Sequence, residues 1–237
     1  MRNTVAIMQR ELLSLFYSPI GYIVVTGFLL ITGVLVMDSF GPGKPATLRN
    51  VFGFTPYVLT FIVPAIAMRT ISEEYRSGTI ETLMTAPVSD VQMVIGKYLA
   101  ALVFYAIMLA GTLVYLILMM IFGSPDMGAS LSSYLGLLLV GVAFTAFGVF
   151  ASSLTRNQIV AWIVGAVPLI LFVWFAGFIV DRTEGWVRDA FQRVNVVRHL
   201  DQFNRGLVTL EGVVFFVGAA ALFLFLTTKV VESHRWR

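Results

Sequence analysis

Long apolar runs alternate with short polar connections along most of this sequence. Six runs approach or exceed the roughly 20 residues that a helix needs to cross the hydrocarbon core of a bilayer. No charged residue lies within any of them, and they fall at residues 20–37, 51–68, 98–122, 133–152, 159–180 and 212–228. The pattern predicts an all-α polytopic membrane protein with a single transmembrane domain over residues 1–237.

Two segments outside these runs are amphipathic. Residues 3–18 place apolar side chains at helical spacing and Arg10 and Glu11 on the other side, which predicts an elbow helix in the headgroup plane before the first span. Residues 184–208 repeat apolar positions at three- and four-residue steps and break at 204–206. This external segment either lies against the headgroups or forms a lid over an outer exit, and the pattern favours the headgroups.

Composition supports the membrane assignment. Hydrophobic residues make up 58% of the chain and charged residues only 12%, a balance typical of polytopic membrane proteins. The net charge of +3 is modest, and no basic stripe is interleaved with aromatic residues. We therefore expect the bilayer, and not nucleic acid, as the partner of the basic residues.

The distribution of Lys and Arg predicts the orientation. Six spans put both termini on one side, and cytoplasmic termini place nine basic residues inside against seven outside. Five of the outer residues lie in the segment 181–211, where five acids balance them. Without that segment the ratio is nine to two, so we expect both termini in the cytoplasm.

The apolar runs lack the groups that intramembrane chemistry requires. Without an ionisable residue inside a span, a proton-coupled carrier, a voltage sensor and an intramembrane hydrolase are all disfavoured. The chain has no Cys, and His199 and His234 lie in polar segments, so the sequence predicts no catalytic residue and no metal site. It also has no Walker-type phosphate loop, so energy from ATP would have to come from another polypeptide.

Residues 72–89 form a polar segment between the second and third runs. Gly78 precedes Thr79, a residue suited to cap a helix N-terminus, and Glu81 follows in the first turn, where the helix dipole favours an acid. Pro87 then ends the helix. The pattern predicts a short, stiff helix at about 79–86, with a plain turn as the alternative, and an ion pair between Glu73 and Arg76 before it.

Small and aromatic residues inside the runs leave two questions open. Gly141 with Thr145, Gly148 with Ser152, and residues 218–221 could serve packing within one subunit or a dimer face. The aromatic residues of the fifth run surround Pro168, and they could line an apolar cavity or face lipid.

The polar segment resembles that of the membrane-spanning permeases of type-2 ABC transporters. The residues that carry the likeness are Ser72-Glu73-Glu74, Gly78-Thr79, Glu81, Leu83 and Pro87, followed by Gly96-Lys97. It extends to Arg10-Glu11-Leu12, Ser18-Pro19-Ile20, His199 and Phe203-Asn204-Arg205-Gly206, and so covers nearly the whole chain. It is closest to the small permeases associated with gliding motility and with copper-enzyme maturation.

The resemblance implies a permease subunit of an ATP-driven exporter in the bacterial inner membrane. Two subunits, this chain with a second copy or a paralogue, would form the translocation path. Separate ABC ATPase subunits that hold ATP and Mg would dock on the cytoplasmic side, and a periplasmic accessory subunit is a further expected partner. No cofactor is expected in this chain, and short external helices are expected before the last span.

The resemblance also implies roles for individual residues. The segment around 79–86 would be the coupling helix, and the residues expected to couple to the ATPase are Glu73, Glu74, Arg76, Gly78, Thr79, Glu81, Leu83, Met84 and Pro87. The second and fifth spans commonly line the pathway in such permeases, and the candidates here are Phe54, Tyr57, Phe61, Trp162, Phe172 and Trp174.

A function of a different class stays open. The chain could be a non-transporting subunit that passes ATPase-driven motion to periplasmic or envelope machinery. A continuous hydrophilic or amphiphilic cavity between the second and fifth spans would favour transport. A sealed dimer interface with an extensive outer docking face would favour force transmission.

Overall fold

The computed structural model describes residues 2–39, 47–78 and 89–235, and every regular element in these ranges is a helix. The helices are α1 (Arg2–Tyr17), α2 (Pro19–Ser39), α3 (Arg49–Ala67), α4 (Ser72–Ser77), α5 (Asp90–Gly111), α6 (Leu113–Phe122), α7 (Met127–Ser153), α8 (Gln158–Arg182), α9 (Trp186–Val194), α10 (Val196–Asn204) and α11 (Leu210–Arg235). The all-α prediction is therefore confirmed.

The described residues contain six helical stretches that are long and apolar enough to cross a membrane, as the sequence predicts. They are Pro19–Met37, Arg49–Ser77, Asp90–Phe122, Met127–Ser153, Gln158–Val180 and Leu210–Ser233. The second and the third differ most from their expected bounds: the second extends to Ser77 and not to residue 68, and the helix of the third begins at Asp90 and not at residue 98. Ser89 caps this helix in a capping box with Gln92, so the polar residues before the apolar run already belong to the span.

Helix α7 lies at the centre of the bundle. It is the most buried span, and α3, α5, α8, α10 and α11 all pack against it. Small residues on its surface allow the close approaches. A Cβ atom at Gly141 would lie 1.9 Å from the ring of Tyr105, whose hydroxyl donates a hydrogen bond to the Leu137 carbonyl (2.6 Å), and a Cβ at Gly148 would lie 2.6 Å from that of Ala67.

These contacts answer the question about small residues for two of the three sets. Gly141 and Gly148 serve packing within the chain, because helices α5 and α3 occupy the space beside them. Thr145, one turn from each, is fully buried and donates a hydrogen bond to the Gly141 carbonyl. Gly218 differs, since no atom lies within 4 Å of the position that its Cβ would take.

Residues 184–208 form two helices, as the resemblance implies, where the three- and four-residue periodicity alone predicts one amphipathic helix. Asn195 separates α9 from α10 and caps the second, its side chain accepting a hydrogen bond from the Arg198 amide. Helix α10 packs into the bundle, with Leu200 and Phe203 against α7 where Gly136 leaves room. The predicted break is confirmed: α10 ends at Asn204, and Gly206 adopts a φ of +83°.

Candidate functional site

The second span does not run straight into the polar segment. Helix α3 ends at Ala67, residues 68–71 form a turn, and the short helix α4 follows. Ser152 of α7 holds this turn: its Oγ accepts hydrogen bonds from the amides of Ile71 (3.1 Å) and Ser72 (3.0 Å) and donates one to the Met68 carbonyl (2.9 Å). One fully buried hydroxyl therefore pairs two amides at the start of α4 and shares the Met68 carbonyl with the Ser72 hydroxyl.

Lys97 of α5 approaches the same turn from another side. Its Nζ lies 2.9 Å from Glu74 Oε1 and 3.2 Å from Glu11 Oε2, and it donates a further hydrogen bond to the Thr70 carbonyl. The ammonium has three donors, and all three have an acceptor. The Lys97 side chain is only 1% exposed, so this cation joins α1, α4 and the turn in a largely water-free setting.

Gly96 explains how α1 comes close enough for Glu11 to reach Lys97. A Cβ atom at this position would lie 3.0 Å from both the Ile7 Cβ and the Thr4 carbonyl oxygen of α1. A side chain here would push α1 away from α5 by a few tenths of an ångström, so glycine favours this close packing. The pair Gly96-Lys97 supplies a close approach at one residue and a buried charge at the next.

Glu73 forms the outer part of this cluster. Arg69 Nε lies 3.4 Å from its Oε2, and the Gln158 side chain at the start of α8 donates a hydrogen bond to the same oxygen. Arg69 also donates a hydrogen bond to the Ser18 hydroxyl between α1 and α2. The predicted pair of Glu73 with Arg76 is wrong, because helical side chains lean towards the N-terminus and the Glu73 carboxylate meets Arg69 instead.

We call the residues of this cluster the polar junction. Its members come from α1, the α1–α2 connection, the turn between α3 and α4, α4, α5, α7 and α8, and they are Glu11, Ser18, Arg69, Thr70, Glu73, Glu74, Lys97, Ser152 and Gln158. The junction fixes the base of the polar segment 72–89 to the bundle.

A polar cleft of about 220 Å³ opens beside the junction, between α1 and α4. Arg10, Glu11, Glu73 and Glu74 are among its lining residues. Glu74 Oε2 is buried and has no hydrogen-bond partner in the part of the chain that the structure describes. A buried carboxylate oxygen without a partner is costly, so the cleft is suited to receive a donor from another molecule.

The predicted coupling residues divide into two groups. Glu73 and Glu74 belong to the junction, Arg76 is exposed on α4, and Gly78 follows α4 with a φ of +73°, the left-handed conformation that favours glycine at a helix end. The others lie outside the described residues, as does the predicted helix at 79–86, and they are Thr79, Glu81, Leu83, Met84 and Pro87.

Of the nine junction residues, only Glu73 and Glu74 are among the candidates that the sequence offers. Three of the other seven are the most informative: the sequence pattern puts Glu11 on the polar face of an amphipathic helix, Lys97 in a connection and Ser152 among small packing residues. For Lys97 a signal was available, since a basic residue directly before an apolar run and next to a glycine can lie inside a helix contact. For Ser152 no local signal exists, because its partners come from a distant turn.

The candidate pathway residues also divide into two groups. Between α3 and α8, the Trp162 indole donates a hydrogen bond to the Phe61 carbonyl (3.1 Å), and the rings of Tyr57 and Trp174 meet edge to face with centroids 5.1 Å apart. The Phe54 ring lies 5.7 Å from that of Tyr57. Five of the six candidates therefore form one partly exposed aromatic face.

Phe172 does not belong to this face. Residues two positions apart on a helix point in nearly opposite directions, about 200° apart, so Phe172 faces away from Trp174. It lines a separate apolar groove between α8, α7 and α11. No three His, Asp or Glu side chains within the described ranges come close enough together to hold a metal ion.

Fold and site define a class: a multi-pass membrane protein with its ion-paired groups gathered at the ends of an apolar six-helix bundle. Residues 37–194 match the family described as ABC-2 family transporter protein, which is more than half of the chain. The chain belongs to this family of ABC transporter membrane domains. No curated protein matches it.

Membership has general consequences. Membrane domains of this family are permeases, the generally non-catalytic components of ABC transporters. The family implies ABC ATPase partners and dimerisation in general.

Proposed function

We propose that this chain is the permease subunit of an ABC exporter and that the segment 72–89 couples it to separate ATPase subunits. The observation that carries the proposal is the polar junction, which braces the base of that segment against α1, α5, α7 and α8. ATP and Mg would bind in the partner, and two permease subunits would form the path. The termini would lie in the cytoplasm and the chain in the inner membrane.

The junction supplies a physical route for coupling. The segment 79–88 is joined to α4 at one end and to α5 at the other, and α4 is held by Lys97 of α5 and by the turn on Ser152. Because the same two side chains hold the end of α3, α4 cannot move far without moving α3. Helix α3 contains Pro56 and Pro64, which remove backbone hydrogen bonds and make bending easier there.

The aromatic face of α3 and α8 is our candidate for the wall of the pathway. It contains Phe54, Tyr57, Phe61, Trp162 and Trp174, and motion of α3 would displace it. Among the type-2 ABC permeases, we propose that this chain is related to the small permeases associated with gliding motility and with copper-enzyme maturation, because it shares the motifs given above. The alternative of force transmission without cargo has no structural observation in its favour.

Substitution of Gly78 tests the coupling role. Gly78→Ala places a side chain at a φ of +73°, which costs about 1–2 kcal/mol and redirects the chain as it leaves α4. We expect the variant to assemble with the ATPase subunit that co-purifies with the wild type but to lower ATPase stimulation several-fold. Glu81→Gln is expected to lower stimulation or assembly as well.

Gly27→Ala is the matched control, because no described residue outside its own stretch of helix lies within 4 Å of the position that its Cβ would take, and its φ is not positive. It should leave ATPase activity and assembly unchanged. If Gly78→Ala and Glu81→Gln both behave like this control, the segment does not couple the two subunits.

A further inference from the structure

An apolar groove of about 240 Å³ runs between α7, α8 and α11. Phe144 and Phe147 of α7 form its floor, and Phe172 of α8 and Ala219 of α11 lie on its two walls. Val194 and Val196, on either side of the α9–α10 connection, close one end. All the residues that line the groove are apolar.

Helix packing explains why the groove exists. Helices α8 and α11 both pack against α7 but make few contacts with each other, so a gap remains between them. Small side chains at Ala143 and Ala219 widen it. The wall from Phe215 to Phe223 spans about 12 Å at the helical rise, and the partly exposed Phe172 shows that the groove is accessible from the side.

The groove is separate from the candidate pathway. Phe172 faces it, whereas Trp174 on the opposite side of α8 faces α3. Its length and apolar lining suit a hydrocarbon chain, and it lies within helices long enough to cross a bilayer. A lipid acyl chain is the apolar ligand available at that depth.

The charged residues near the closed end of the groove indicate which class of lipid binds there. Arg193 directly precedes Val194, and Arg198 lies two residues after Val196; both are exposed, and neither has an acidic partner in the described part of the chain. Asp201, in contrast, is paired with Arg49 and Arg205. Unpaired arginines at the end of an apolar groove favour a negatively charged headgroup.

We propose that this groove binds one acyl chain of an anionic glycerophospholipid, with the headgroup phosphate at Arg193 and Arg198. A second copy of this chain is a poorer occupant, because a two-fold contact would bring these unpaired arginines towards their own copies. Lipid therefore occupies the side of α8 that faces away from the pathway.

Lipid retention by the purified full-length protein tests the proposal. The protein is delipidated in mild detergent, supplied with dioleoylphosphatidylglycerol or dioleoylphosphatidylcholine, and analysed by native mass spectrometry. We expect about one phosphatidylglycerol per chain and roughly a thirtyfold preference over phosphatidylcholine, since each of the two arginines at a membrane surface contributes about 1 kcal/mol of attraction to anionic lipid. Equal retention of the two lipids by the wild type would overturn the headgroup assignment.

Two sets of variants test the headgroup contact and the acyl-chain contact separately. Arg193→Gln with Arg198→Gln should abolish the preference but keep the bound lipid, whereas Arg156→Gln with Lys229→Gln, the same change of charge at the other end of the bundle, should keep both. Ala219→Leu narrows the groove and should reduce retention of either lipid. Unchanged retention in Ala219→Leu, or a loss of dimers without a loss of lipid, would overturn the groove as the site.

A cross-linking experiment on the wild type does not depend on how the variants fold. Phosphatidylglycerol with a photoactivatable diazirine on its acyl chain is bound and irradiated, and the labelled peptides are sequenced. Labels should concentrate in 143–147, 168–172 and 215–223. Labels that favour the face around Phe54 and Trp174 would contradict the proposal.

Discussion

Lys97→Met is expected to destabilise the folded protein by about 3–5 kcal/mol, because it leaves the buried Glu74 and the partly buried Glu11 without their shared cation, with only the exposed Arg10 still 3.9 Å from Glu74. It also removes the donor to the Thr70 carbonyl. The variant should show a markedly lower midpoint of thermal unfolding in detergent or nanodiscs, and it should assemble poorly with the ATPase. Methionine retains much of the volume of lysine, so the loss reports the charge and its hydrogen bonds.

Lys229→Met is the matched control for this substitution. Lys229 is more than half exposed and pairs with Glu232 on the surface of α11, so its loss should change the free energy of unfolding by less than about 1 kcal/mol. Adding Glu74→Gln to Lys97→Met removes an uncompensated charge and should recover part of the stability. If Lys97→Met is as mild as the control, the buried ion pairs do not hold the junction together.

Ser152→Ala is expected to have the second largest effect. Two buried amides, those of Ile71 and Ser72, lose their acceptor, and the Met68 carbonyl loses a donor, for an expected cost of about 2–4 kcal/mol. Because the turn joins α3 to α4, the functional loss should exceed the loss of stability. Transport and ATPase stimulation should fall at temperatures where the variant remains folded and assembled.

The neighbouring serine provides the control. Ser153 is equally buried, but its hydroxyl donates only to the Phe150 carbonyl one turn earlier in the same helix. Ser153→Ala should therefore leave coupling intact. Equal ATPase stimulation in the two variants would show that the turn on Ser152 does not transmit motion.

The sequence predicts the spans well because their apolar character is local. Run length alone identifies all six, and local capping residues such as Ser89 account for where a helix begins. Where it fails, the determinants are distant in the chain. Lys97 pairs with Glu11, which lies 86 residues away in the sequence. The partners of Ser152 lie 80 or more residues before it. A local pattern can indicate that a residue such as Lys97 lies in a helix contact, but it does not identify the distant partner.

Two other differences between prediction and structure could be foreseen from helical periodicity and from capping preferences. Phe172 and Trp174 cannot both face one pathway from a single helix, since positions two apart point in nearly opposite directions. The division of the external segment at Asn195 is a second case, because asparagine suits the N-cap of a new helix in the middle of an otherwise regular amphipathic pattern.

The central claim is that motion entering through α4 reaches the far end of α3 by way of the polar junction. Because the chain contains no cysteine, single spin labels can be placed by substitution at Ser77 on α4 and at Asn50 at the other end of α3. Pulsed electron spin resonance would measure label-to-label distances between the two permease subunits of the assembled transporter, with and without a non-hydrolysable ATP analogue.

In the wild type we predict that nucleotide changes both the Ser77 and the Asn50 distances. In the Ser152→Ala background the Ser77 distance should still change, whereas the Asn50 distance should not. If nucleotide changes the Asn50 distance equally in both backgrounds, the junction does not carry the motion to α3.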